Sequence, residues 1–180
     1  MKLLRTIQLD TSDTFVFARA AEPGEWAVSG AFVFWNAEAD KLEGKARSAF
    51  RSGFLGIESL GWSTLVQIVE ASEADRAALI EQLAQQLVAQ FGAPNLEAAR
   101  GAAEEEVAFT QSLCNHPVDT LVAVHRGFED GAVREAFRTL HPRADKKPMR
   151  AFSFLEVEGE EPAEQVDLVA LANAKKESLP

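Results

Sequence analysis

The ionisable side chain with the least ordinary setting in this sequence is Glu106. At about 100° per residue, the segment 95–115 aligns Leu96, Ala99, Ala103, Val107 and Cys114 as one apolar stripe. Ala102, Phe109 and Leu113 widen the stripe on one side, and Glu106 falls inside the widened arc while Glu104 and Glu105 point to solvent. A carboxylate on an apolar face must find a cation or hydrogen-bond donors, or its pKa rises. Glu106 is therefore a candidate general acid or base, or a ligand anchor. The plainer reading is a structural ion pair or a side chain that reaches the surface. His125 is the natural counterpart, in a strand over 119–126 where it shares a face with Leu121 and Ala123 while Val122, Val124 and Arg126 take the other. A half-buried imidazole opposite Glu106 could move protons near neutral pH; its plainer role is that of a hydrogen-bonded core residue. Arg126, if its face is covered, needs a partner of its own and joins the candidate binding residues.

Other constellations are weaker. Cys114-Asn115-His116-Pro117 invites a metal reading, but three histidines and one cysteine cannot supply a zinc set of recognisable spacing. No metal and no cofactor is expected. Cys114 lies on the apolar stripe, which suits an inert buried thiol. Gly53, Gly56 and Gly61 precede a strand, not a helix, and no Gly-Lys-Ser/Thr follows, so neither a phosphate loop nor a dinucleotide fingerprint is present; the conformational needs of a turn account for them. Residues 132–150 hold six cations, Arg134, Arg138, Arg143, Lys146, Lys147 and Arg150, against two acids. This basic stretch could receive an acidic protein partner or an anionic ligand, or be answered by the chain's own acidic tail.

These positions belong to a chain of 180 residues with 47% hydrophobic content, enough for a sizeable core without metals or disulfides. A net charge of −10 repels phosphate backbones and anionic lipid, so nucleic-acid and membrane binding are not expected. No stretch reaches bilayer-spanning length, Met1 to Leu9 lack an apolar leader core, and one cysteine suits a reducing compartment; a cytoplasmic location is expected.

The elements that must position the candidates follow from pattern. Alternation predicts strands at Leu3–Leu9, Phe15–Phe17 and Trp26–Phe34, with turns at 11–13 and 22–25, in an antiparallel meander. A short helix is expected over 42–52 and a strand over 63–70. Ser72 and Asp75 form a capping box for a helix running to Phe91, stopped by Gly92-Ala93-Pro94; a second helix runs from Asn95 to Asn115. After the strand at 119–126 come a turn at Glu129-Asp130-Gly131, a short helix over 132–140 and a last strand over 149–157. The order implies an α+β fold, an antiparallel or mixed sheet with helices mainly on one face. One domain is expected over 1–158, followed by an acidic, partly mobile segment over 159–180, within which Val166, Leu168, Val169 and Leu171 suit an amphipathic helix.

The stretches Trp26-Ala27-Val28-Ser29-Gly30-Ala31-Phe32, Ala49-Phe50-Arg51-Ser52-Gly53-Phe54-Leu55-Gly56 and Val124-His125-Arg126-Gly127-Phe128-Glu129-Asp130-Gly131 resemble those of a family of uncharacterised alphaproteobacterial proteins. The resemblance covers the chain to about Arg143. It carries over no catalytic residue, and implies a gene neighbourhood shared with a molybdenum-dependent formate dehydrogenase and its assembly factors, hence an accessory role. Two functions follow. One is a non-enzymatic accessory or interaction protein, linked through the resemblance to redox-enzyme assembly; the other is a small-molecule-binding protein or enzyme with a pocket near Glu106 and His125. A deep pocket holding both side chains would favour the second, a shallow surface with exposed apolar groups the first. Uncovered strand edges leave a homo-oligomer open.

Overall fold

The computed structural model describes residues 1–142 and 155–157. The fold is α+β, as the order of elements implies: among the described residues, a curled antiparallel half-barrel sheet with four α-helices. Its strands are β1 (Lys2–Ile7), β2 (Trp26–Val28), β3 (Phe54–Gly56), β4 (Trp62–Ser63), β5 (Leu65–Glu70), β6 (Leu121–Glu129), β7 (Ala132–Pro142) and β8 (Leu155–Val157). They lie in the order β4-β3-β2-β1-β5-β6-β7-β8, so the first strand sits mid-sheet and short β8 joins at β7. The helices are α1 (Ser12–Val16), α2 (Gly44–Ser52), α3 (Glu73–Gln90) and α4 (Leu96–Ser112).

Because β1 is central, both its faces are covered and consecutive Leu3 and Leu4 are fully buried. Leu3 packs with Val28 and Leu55 against Leu79, Leu83 and Leu87 of α3 and Ala99, Ala103 and Val107 of α4. Leu4 joins Ala27, Phe54, Val66, Ile68, Val122 and Val124 in a second cluster that Cys114 closes. Helix α3 begins as expected: the Ser72 hydroxyl accepts from the Asp75 N–H (3.1 Å), and the Asp75 carboxylate accepts from the Ser72 N–H (2.9 Å). Asn95 caps α4 by accepting from the Ala98 N–H (2.9 Å).

Three expectations fail, each for a local reason. Residues 12–16 form α1 instead of a strand around Phe15, because Asp10 accepts the Ser12 N–H (2.8 Å) and buried Asp13 takes the Thr64 N–H (3.1 Å) and hydroxyl (2.5 Å), coiling the segment. Strand β2 ends at Val28, since Gly30 turns into the left-handed region (φ 76°) and Ala31–Phe34 coils into a 3₁₀ turn. The stretch 132–140 is strand, not helix. Asp130 (φ 51°) and Gly131 (φ 78°) are both left-handed, as a two-residue hairpin turn requires, so β7 continues straight back along β6 from Glu129↔Ala132 to Leu121↔Leu140. Of the last predicted strand, 155–157 is observed; 149–154 and the tail helix lie outside the described residues.

Candidate functional site

The sheet face carrying Val122 and Val124 ends in a charge. Arg126, next on that face, is fully buried, the largest side chain so enclosed. A guanidinium has five N–H donors in a fixed fork, and all five are committed. Nε donates to Glu135 Oε1 on β7 (2.7 Å). Nη1 donates to the Phe50 (3.1 Å) and Gly53 (2.6 Å) carbonyls, closing the open C-terminal end of α2, where a cation also suits the helix dipole. Nη2 donates to the Ser29 carbonyl and hydroxyl, and that hydroxyl donates on to Glu135 Oε1 (2.5 Å). Burial lowers the Arg126 pKa, while Glu135 and Glu106 pull the other way. The candidate ligand-binding Arg126 is therefore a fastener: no donor remains for a ligand, and no part of it reaches the surface.

Glu106 approaches this centre from α4. Its Oε1 accepts the N–H of Gly30 (2.9 Å), the residue after Ser29. Burial raises the Glu106 pKa; the Gly30 bond and Arg126 oppose this, and the Glu135 charge adds to it. Two carboxylates thus face one guanidinium whose hydrogen bonds all go elsewhere than Glu106. The expectation of a half-buried carboxylate needing a donor is met, and its donor is a backbone amide.

His125 does not join it. The side chain is exposed on the face opposite Arg126, so the pairing of Glu106 with His125 in one pocket is overturned: neighbours along a strand point to opposite sides, and only Arg126 faces Glu106. The outer face of the β6–β7 hairpin instead gathers His125 with exposed Arg134 and Arg138. Register sets His125 opposite Ala136, Arg134 opposite Gly127 and Arg138 opposite Ala123, so both arginines are diagonal to the imidazole. Arg143 lies outside the described residues. Cys114 is buried, its thiol pushed up to about 11 by burial, and so inert at neutral pH.

Sequence reasoning passed over Glu135, Ser29 and Glu25. Buried Glu25 accepts from the Glu22 N–H (2.7 Å) and Ser59 hydroxyl (2.5 Å) through one oxygen, and from the Glu58 (2.7 Å) and Ser59 (2.9 Å) N–H groups through the other. A Cβ on Gly56 would overlap that carboxylate, and one on Gly61 the Ala20 backbone, so close approach is what these two positions require. Two surface recesses lie apart from these residues. One of about 140 Å³ lies beside Asp10, Asp13 and Thr64; an open one of about 630 Å³ lies beside Lys2, Glu70 and Asp75. Exposed aromatics include Trp35 (86%) and Phe15 (75%). No helix among the described residues is long and apolar enough to cross a membrane.

The model of a family of unknown function (DUF6505) matches residues 1–156, and the chain belongs to that family. The match stops at β8, leaving the acidic tail beyond it. No curated protein and no solved structure matches the chain.

Proposed function

We propose that this family member acts as a protein-interaction module that receives an acidic partner on the outer face of its β6–β7 hairpin. The observation that carries the reading is the grouping of His125, Arg134 and Arg138 on one exposed face, in a chain whose net charge is −10. Diagonal neighbours on adjacent strands stand roughly 7–8 Å apart, a spacing that two carboxylates of an acidic segment can bridge. Trp35 and Phe15, outside the hairpin, are exposed aromatics of the kind interfaces use. In its finer form, the partner is a redox enzyme under assembly, a reading supported by the resemblance to alphaproteobacterial proteins alone.

The test is affinity capture of the tagged full chain from its native host at low and high salt, alongside Arg134→Glu and, as a control on α2, Lys45→Glu. The expected result is a partner released by salt and lost with Arg134→Glu but kept with Lys45→Glu. Capture unaffected by Arg134→Glu would reject the hairpin face as the contact.

A further inference from the structure

We propose that an uncharged aromatic ridge formed by Phe32, Trp35, Val88 and Phe91 is the contact face for a second copy of this chain. Its residues belong to other elements than the β6–β7 hairpin, and the inference does not depend on the reading given to that face.

The backbone builds the ridge. After left-handed Gly30 the chain coils through Ala31–Phe34 as a 3₁₀ turn, and Trp35 keeps helical angles (φ −51°, ψ −41°). Side chains three apart in such a coil eclipse one another, so Phe32 and Trp35 stand on one edge. The other edges are taken up inside: Val33 packs on the core between α3 and α4, and Phe34 meets the rings of Phe50 (5.3 Å) and Trp62 (5.3 Å). Phe32 meets Phe91 edge to face at 5.4 Å, and Val88 lies one helical turn before Phe91 on the same side of α3. Trp35, Val88 and Phe91 are exposed. The root of the ridge is fixed, because Ser29 accepts from Arg126 and the Gly30 N–H donates to Glu106. Little ordering is therefore left to lose when the ridge is covered.

Charge distribution identifies the occupant. In this chain 26% of residues are charged, yet residues 26–37 and 82–96, the two stretches that meet at the Phe32–Phe91 contact, contain no Asp, Glu, Lys, Arg or His. Two copies with a net charge of −10 repel each other wherever their acids approach. In a two-fold contact a patch faces itself, so any charge near the axis meets its own copy. An uncharged patch avoids that repulsion and offers nothing to a partner selected by charge. Aromatic enrichment with charge depleted at the centre is also the composition of interface cores. Exposed Asn36, Gln85 and Gln90 adjoin these side chains on their own elements and supply a rim that hydrogen-bonds without charge.

Sedimentation velocity of the full chain over a concentration series tests the proposal, with Trp35→Asp, Val88→Asp and Phe15→Asp compared at equal far-UV circular dichroism. Phe15 is an exposed aromatic on α1 and controls for general stickiness. The parent is expected to form a dimer that Trp35→Asp and Val88→Asp each weaken about tenfold or more, while Phe15→Asp leaves it unchanged. Added sodium chloride should tighten the dimer, since screening lessens the repulsion between the copies, whereas a contact between acids and the hairpin cations would loosen. A parent that stays monomeric up to about 1 mM overturns the proposal and leaves the ridge to a different partner or to the chain's own C-terminal segment. A dimer that survives both ridge variants overturns it too, by placing the contact elsewhere, for example on a strand edge. So does a dimer lost equally with Phe15→Asp, or one that salt dissociates.

Discussion

Replacing Arg126 with Met keeps an unbranched apolar stem and removes every donor. Five contacts go at once: the Glu135 carboxylate, the Ser29 hydroxyl, and the carbonyls of Ser29, Phe50 and Gly53. Arg126 is wholly enclosed and the Glu135 side chain is 16% exposed, so what is left is an acid and three carbonyls with little water to turn to. Breaking a buried charged pair by removing one member costs about 3–5 kcal/mol. For a chain of this size each kcal/mol shifts Tm by roughly 2–4 °C, so a fall of roughly 6–20 °C is expected. Urea titration followed by tryptophan fluorescence reads the change, since Trp62 packs beside Gly53 and Phe34. Arg126→Lys should recover little, because an ammonium with three donors cannot reach three separated acceptor groups in one plane. Arg126→Met/Glu135→Leu should cost less than the sum of its single changes, by about 0.5–3 kcal/mol. A loss under about 1 kcal/mol for Arg126→Met, the net worth of a single ordinary hydrogen bond, would refute the view that this guanidinium fastens four chain segments.

Two further outcomes follow from the same interior. The folded-state pKa of Glu106 is raised, so its contribution to stability is present below the unfolded value, near 4.5, and is lost as pH rises through the folded value. Glu106→Gln, which keeps an acceptor for the Gly30 N–H, should therefore match or exceed the parent Tm at pH 8 and lose that advantage toward pH 4; a pH-independent difference in paired melts would refute the assignment. Gly56→Ala and Gly101→Ala should move in opposite directions in denaturant titrations. The first drives a methyl into the Glu25 carboxylate and should cost about 1–3 kcal/mol, whereas the second adds one in open space on α4 and should gain about 0.5–1 kcal/mol; changes of the same sign would discount the close approach at Gly56.

Legibility tracked the range of the interactions that decide each element. The capping box at Ser72 and Asp75 and the stop after Phe91 are local, and α3 appears where the pattern predicts it. The setting of Glu106 was legible for the same reason, since helical spacing alone puts it among apolar neighbours. The hairpin was misread because Ala132–Leu140 is rich in residues that helices accept, and its state is decided by the two left-handed residues before it and by the strand they return it to. The site was half legible. Arg126 could be seen to need a partner, but its acceptors lie 9 to 97 residues away in sequence, and no spacing rule announces them. His125 was paired with Glu106 on the assumption that both faces of β6 are covered at its position; the outer face is open there.

The reach of Arg126 also orders events in time. A chain emerging from its N-terminus can form α2 and the Ser29-Gly30 turn early, yet the carbonyls of Phe50, Gly53 and Ser29 meet their donor only once residue 126 has been made and β6 has docked on β5. Until then the N-terminal part is held by local bonds and water, and contacts of such long separation form late. The guanidinium thus works as an assembly checkpoint: the C-terminal end of α2 and the β2 turn are secured only when the hairpin that carries the exposed cations is already in place.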